Sequence, residues 1–456
     1  MSFHDPYLLV RATSLYLPLA LLAIAWVWRR PGKRSVAGAA LAFFWNLPTV
    51  LLLDVVARRL DWWRFDAQGG LLLGTPVDLW LAWACLWGAV PAISFSRLPL
   101  GVVAAVAFAV DLVSMPHGAP VIRLGSRWLV GEVLGLIVGL VPSQLLARWT
   151  ARDDHLEARA LLQAGAFTGL FVFVLPAIII EATGATSQTF NHSAWEIGLV
   201  AQMLAAPALI GITAVQEFAT RGHGTPVPFD PPRQLVTTGV YAYVRNPMQL
   251  SGVLMMLVLG VVLRSGWIAA AGVMAHFYAV GFAGWDEDDD LRCRFGDAWD
   301  DYRRAVRSWI PRFRPWGQPD ALPARLFVSE SCDMCRDVGR WFAQRHATHL
   351  TIVAAETHSS GALTRITYES NDGSFAASGI EAIGRALEHI HLGWALVGFL
   401  LRAPGVKQLA QLLADACGAG PRTIPRRAVI GSGGTDTERQ RPRLERLSVP
   451  PHNPLA

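Results

Sequence analysis

Charge is what this sequence is short of. Only 16% of its 456 residues are Asp, Glu, Lys or Arg, against roughly a quarter in an ordinary soluble domain. The shortage is local: 43 of the 171 residues from Asp286 onward are charged, leaving 32 for the first 285. That contrast is expected of a membrane-embedded part followed by a water-soluble part. Cysteine is also scarce. There are five, of which only Cys332 and Cys335 are close in sequence, so a disulfide framework is excluded. The net charge of +5 comes with no Lys/Arg stripe interleaved with aromatics, so nucleic acid is not an expected partner. Basic residues instead collect at the ends of apolar stretches. The start, MSFHDPYLLV, has no basic run before its first apolar segment, which is therefore read as a retained anchor.

What the sequence does have is apolar windows near the length of a membrane span. They run over 12–28, 35–53, 79–96, 133–147, 160–180, 197–216, 246–263 and 265–285, with a weaker one at 98–109. The expected fold is thus a multi-pass α-helical membrane protein of eight or nine spans, nine preferred, followed by a small α/β domain. The first loop, RRPGKR, holds four basic residues, which makes it cytoplasmic. Six further spans put 221–245 on the same side, and the last pair returns everything after Asp286 there. The loop bearing Arg58, Arg59 and Arg64 dissents. Five segments follow: 1–194, an N-terminal multi-span region; 195–316; a linker at 317–322; an α/β domain at 323–421; and a tail at 422–456 whose Arg, Pro, Gly and Ser content predicts disorder.

Between the seventh span and the last hairpin lies GHGTPVPFDPPRQLVTTGVYAYVRNPMQLSG. Gly239 can turn the chain and Pro247 suits the first turn of a helix. Taken alone, Arg-Asn-Pro at 245–247 reads as a helix cap with Arg245 reaching lipid phosphates. One hairpin later, however, the acidic run Asp286-Glu287-Asp288 returns to the same side, and facing clusters of opposite charge suit a zwitterionic ligand. Leu291, Phe295, Trp299, Tyr302, Val306 and Trp309 recur at three- and four-residue steps, predicting one amphipathic surface helix over 286–316.

On these residues the chain resembles the isoprenylcysteine carboxyl methyltransferase and phospholipid methyltransferase superfamily, over about 195–316. The features are the run 233–249, the hairpin, and E-x3-L-x4-G-x5-Y from Glu287 to Tyr302. The resemblance implies an integral membrane enzyme that uses S-adenosylmethionine without a Rossmann domain. It implies cofactor contacts from Arg233, Gln234, Leu235, Val236, Tyr241, Asn246, Pro247, Met248 and Gln249, with Glu287 on the cofactor's amino group. Asn246 and Gln249 replace the family's histidine and tyrosine. Ala283 stands where prenylcysteine enzymes carry a substrate-binding arginine, which leaves a lipidic alcohol, amine, acid or thiol open as acceptor. Arg245 is the candidate to stabilise an acceptor anion, with Asp288 a candidate base.

Further on, ARLFVS reads as a strand, CRDVGRWFAQRH as a helix and LTIVAAE as a strand, a βαβ order. Cys332 and Cys335 fall at the helix N-terminus, where a thiolate is favoured. Cys332, nearer the strand, is the expected attacking thiol and Cys335 the resolving one. A zinc reading with His346 and His349 has intervals shorter than zinc-finger spacing, so no metal is expected. The segment resembles the DCC family of thioredoxin-like oxidoreductases over about 323–418, which implies a thioredoxin-like cytosolic domain and a redox partner protein. Asp333 replaces that family's usual proline between the cysteines.

The leading reading is a membrane S-adenosylmethionine-dependent methyltransferase acting on a lipophilic acceptor, with membrane lipid around it and a redox domain appended. A membrane thiol-disulfide oxidoreductase with a non-catalytic methyltransferase-like region, and a nonenzymatic scaffold or transporter, are the other two. Trp62, Trp63, Trp80, Trp83 and Trp87 read as an interfacial belt. Asp54, Asp78, Asp111 and Glu132 lie within or beside spans, and helix ends are expected to explain most of them. Phe399, Leu400 and Leu401 are expected in a core rather than in an anchor.

Overall fold

The computed structural model describes residues 6–184, 193–227, 230–318, 321–358, 363–403 and 405–422, without the side chains of 194, 197 and 282–287. The expected disordered tail beyond Arg422, and the side chains of Ala283, Asp286 and Glu287, lie outside the described residues. Among those described, seven helices are long and apolar enough to cross a membrane. They are α1 (Pro6–Arg29), α2 (Lys33–Arg59), α3 (Val77–Ser94), α4 (Leu100–His117), α5 (Trp128–Arg152), α6 (Leu156–Thr183) and α7 (Ala194–Thr220). Two shorter apolar helices follow, α8 (Pro247–Val262) and α9 (Gly266–Gly281). The weak window at 98–109 is covered by α4.

Three spans carry a widened π turn just before a proline: Cys85–Ala89 before Pro91, Leu136–Leu140 before Pro142, and Leu170–Val174 before Pro176. Proline has no N–H to give and its ring crowds the carbonyl four residues back, so the preceding turn opens. Helix α2 is the axis of the bundle, packed on α3, α5 and α6. Glycine sets the close approaches: a Cβ on Gly88 would fall 2.8 Å from the Ala42 backbone, and one on Gly38 2.6 Å from the Ala147 carbonyl.

Ion pairs join the loops at one end of this bundle. Arg34 meets Asp153 at 3.0 Å and Asp230 at 3.2 Å, and the fully enclosed Arg159 meets the same two carboxylates at 3.0 Å each. The basic first loop and the 221–245 segment therefore share an end. At the other end short strands appear that the periodicity does not show: β1 (Trp63–Phe65), β2 (Leu71–Leu72), β3 (Thr75–Pro76) and β4 (Ile122–Leu124), with β1 paired antiparallel to β4 and β2 to β3.

The tryptophans do not form a belt. Trp62, Trp63, Trp80 and Trp87 are buried in the bundle's main apolar cluster, with Trp83 half-buried beside them. Three indoles are held by interior acceptors: Trp63 by Asp54, Trp80 by the Leu47 carbonyl and Trp87 by Asp111. Nor do helix ends explain the acids. Asp78, at the start of α3, does pair with Arg11 at 2.6 Å, but Asp54, Asp111 and Glu132 are enclosed inside.

After α9 the expected single surface helix is two. Helix α10 (Gly284–Phe295) ends at Gly296, whose φ of 54° is left-handed, and α11 (Asp297–Ala305) restarts the chain in a new direction before an irregular segment. The apolar stripe survives the break, because Leu291, Trp299, Tyr302 and Val306 meet in one cluster with Leu235 and Trp316. They turn inward onto the 233–246 segment, not outward onto a membrane surface.

The C-terminal unit is a four-stranded sheet of β5 (Ala324–Val328), β6 (Leu350–Ala354), β7 (Thr367–Glu369) and β8 (Ala376–Ser378), in spatial order β6-β5-β7-β8. The pair β5–β6 is parallel, with Leu326 opposite Ile352, and the other pairs are antiparallel. Helix α12 (Asp333–Ala343) makes the crossover. Helices α13 (Ile380–Leu387), α14 (Leu392–Arg402) and α15 (Val406–Ala414) follow. Phe399 is buried and Leu401 half-buried, as expected of a core, whereas Leu400 is about half exposed.

Candidate functional site

The segment 233–249 has no regular structure until Gly239–Ala242 makes one 3₁₀ turn. Gly239 takes a φ of 60°, and a Cβ there would press on the Glu217 carboxylate at 3.0 Å. The irregular return 307–316 braces the segment by backbone bonds: Arg245 N–H to Arg307, Asn246 N–H to Ser308, Arg312 N–H to Tyr243 and Trp316 N–H to Ala242. Tyr302 adds its hydroxyl to the Tyr241 carbonyl at 2.8 Å. Pro247 then opens α8, where its missing N–H costs nothing.

Of the residues implied as cofactor contacts, Arg233 and Gln234 are exposed, and Arg233 reaches Asp153 at 3.6 Å. Leu235 is half-buried against Leu291, and Arg294 of α10 bonds the Pro232 carbonyl, so α10, which carries Glu287, lies against this loop. Val236, Tyr241 and Pro247 are buried, with the Tyr241 ring tilted on Phe218. Asn246, Met248 and Gln249 are half-buried, and the Asn246 amide donates to Gln249 Oε1 at 3.2 Å. Arg245 sits over the Trp299 ring and bonds Ser308. Asp288 is engaged by Arg303 at 3.1 Å. Arg233, Asn246 and Gln249 thus lie along one segment, Arg233 turned to Asp153 and Asn246 to Gln249, with the acidic helix α10 packed against the segment's start.

A second layer beneath this segment was not legible in the sequence. Glu217, fully enclosed near the end of α7, accepts the Thr238 hydroxyl and meets Arg385 of α13 at 2.6 Å and Arg402 of α14 at 3.5 Å. Arg402 also meets Glu388 at 3.0 Å. Tyr243, fully buried, donates to the Glu388 carbonyl at 2.7 Å. Ala395 and Phe399 of α14 share one apolar cluster with Val236, Tyr241, Tyr243 and Leu250. The C-terminal unit is therefore docked onto the back of the 233–249 segment and is not held apart by a linker. The available signal was the pair of arginines spaced among apolar residues in 380–402.

Cys332 is the N-cap of α12, and its sulfur accepts the Cys335 N–H at 3.4 Å. The Cys332 thiol is held below the ordinary thiol range, chiefly by hydrogen bonding from Cys335. Burial, then the neighbouring Cys332, pushes Cys335 up to about 12. An apolar cleft of about 300 Å³ opens beside the pair, lined by Met334, Ile366, Ile380, Ile383 and Arg422. Among the described residues, no three His, Cys, Asp or Glu side chains are placed to hold a metal, His346 and His349 included.

Seven membrane-length helices make this a multi-pass membrane protein. The phospholipid methyltransferase family model matches residues 199–297, a span covering most of α7, the 233–249 segment, the α8–α9 hairpin and α10. The match supports a membrane methyltransferase in general. No curated protein and no solved structure matches the chain.

Proposed function

We propose that this protein is an integral membrane methyltransferase that uses S-adenosylmethionine to methylate a lipophilic acceptor, with a thioredoxin-like dithiol domain docked on the cofactor segment. The family match over 199–297 carries the reading, because its limits bracket the segment that folds against α10. Arg233, Gln234, Asn246 and Gln249 would hold the cofactor's polar end, the backbone of Leu235, Val236 and Met248 its flat parts, and Glu287 its amino group. When bound, the cofactor supplies an electrophilic methyl on a sulfonium. The chain's own contribution is then orientation and exclusion of water. The acceptor comes from the lipid side between helices, and Arg245, oriented by Trp299 and Ser308, stabilises an acceptor anion. The shared end of loops 30–34 and 221–245 supports placing this site and the C-terminal domain in the cytoplasm.

The strand order β6-β5-β7-β8 with a CxxC at the crossover helix supports the thioredoxin-like reading. The Cys332 thiolate would attack a partner protein's disulfide and release one thiolate. Cys335 then displaces the second, leaving Cys332–Cys335 oxidised until a partner dithiol reduces it.

Calorimetry with S-adenosylmethionine on the full-length protein tests the central point. Binding is expected, and Glu287→Gln should weaken it by on the order of 2 kcal/mol through loss of a charge-assisted contact. Absence of binding sinks the methyltransferase reading. Unchanged affinity in the variant sinks the assignment of Glu287.

A further inference from the structure

The N-terminal bundle takes no part in the chemistry above, yet it encloses three carboxyl groups. Asp54 on α2, Asp111 on α4 and Glu132 on α5 are 5%, 1% and 1% exposed. All three lie at the end of the bundle remote from the 233–249 segment, within two turns of a helix end and so about 6–9 Å inside it. Trp63 donates to Asp54 at 3.0 Å and Trp87 to Asp111 at 2.9 Å. Asp111 and Glu132 flank the Trp87 indole, the first bonded to its N–H and the second lining the same small cavity as its ring, so that the two carboxyls act on each other. Glu132 Oε1 is buried with no donor on it.

Two bare carboxylates enclosed beside one indole with no cation paired to them repel and are costly to bury, so one of them must hold a proton. No basic side chain among the described residues forms an ion pair with any of the three. Arg58, one turn beyond Asp54 on α2, acts on Asp54 only through space. Helix α3 faces the pair with Trp83 and Trp87, and strands β1 and β4 with Trp63, Phe65 and Ile122. Arg64 and Arg123 on those strands pair with Asp61 and Asp66 on the surface. His117 and Arg127, near the ends of α4 and α5, are exposed. Among the described residues no three acids are placed to chelate a metal ion. Between Asp54 and Glu132 lies a cavity of about 20 Å³, room for one water. On its other side Asp111 borders an open apolar groove of about 340 Å³ between α1, α3 and α4.

We propose that Asp111 and Glu132 form a proton-binding site inside the membrane bundle, the pair taking up one proton as O–H···O⁻ between two carboxyl oxygens. Asp54 and the water-sized cavity give that proton its path in and out, and the groove brings the site to the lipid-facing side. The two indoles keep their acceptors oriented without neutralising them. The N-terminal bundle is thereby a proton-handling module beside the methyl-transfer region.

Infrared pH-difference spectra of the full-length protein in vesicles read this directly. At neutral pH the wild type should show the carbonyl stretch of a protonated carboxyl, shifted on exchange into D₂O. The band should lose a component in Asp111→Asn/Glu132→Gln and also in Glu132→Gln alone, which serves if the double variant does not fold, while Asp54→Asn should leave that component in place. A wild type without the band, or a band unchanged by these substitutions, overturns the proposal.

Discussion

The molecule buries acidic groups at both ends of its membrane region and treats them differently. At one end Glu217 and Glu388 face Arg385 and Arg402, all four enclosed, with Arg221 at the rim 3.9 Å from Glu217. At the other, Asp54 and Asp111 take indole N–H groups, and none of Asp54, Asp111 and Glu132 has an ion-pair partner among the described residues, Arg58 acting on Asp54 only through space. A charge balanced by fixed partners from another element is a clamp, because separating the elements strands a charge in a poor solvent. A charge without fixed partners must recruit a mobile one, and the proton is what fits. The first arrangement fixes a structure; the second leaves a site.

The clamp should break hardest. Arg385→Met leaves Glu217 buried and under-compensated, which should cost on the order of 3–5 kcal/mol; thermal unfolding in detergent would show it, and a near-neutral result would mean the C-terminal unit is not held this way. Next comes acid. His389, on the clamp side, is held neutral at about 4 by burial, its ring between the Thr348 carbonyl and the Tyr368 hydroxyl. Its folded pKa lies below the unfolded value of about 6.5. Stability should therefore be complete above that value and fall as pH drops from there to about 4, by on the order of 3 kcal/mol. In His389→Gln that acid limb should flatten. Tyr243→Phe removes one buried bond to Glu388 and should cost about 1 kcal/mol. The smallest effect belongs to the other end: Asp111→Asn/Glu132→Gln replaces a shared proton by amide hydrogens and should change stability by less than about 1 kcal/mol. A loss as large as that of Arg385→Met would erase the contrast between the two ends.

Much of the architecture could be read in advance. The apolar windows locate seven membrane-length helices and two shorter apolar ones among the described residues, fewer full spans than the nine expected, because a span is defined by length and hydropathy, both local properties. Gly239, Pro247 and the Cys332 cap were placed correctly for the same reason: backbone geometry there depends on the residue itself. The surface helix over 286–316 was misread because its three- and four-residue period continues across Gly296, and periodicity alone does not say that the chain turns there. The tryptophans were misread because a belt residue and a core residue look alike until one knows that Trp63 and Trp87 have carboxylates to meet.

The sequence by itself determined which stretches form membrane-length apolar helices, where the charged part begins, and where the chain turns or caps a helix. These follow from transfer free energy and local backbone preference, which act on neighbouring residues. Only the tertiary structure decided that Glu217 meets Arg385, 168 residues away, and that Asp111 and Glu132, on different helices, come to the same indole, Trp87. Side-chain partners so distant in sequence leave no periodic trace, and the energy of a buried charge depends entirely on which partner the fold brings to it.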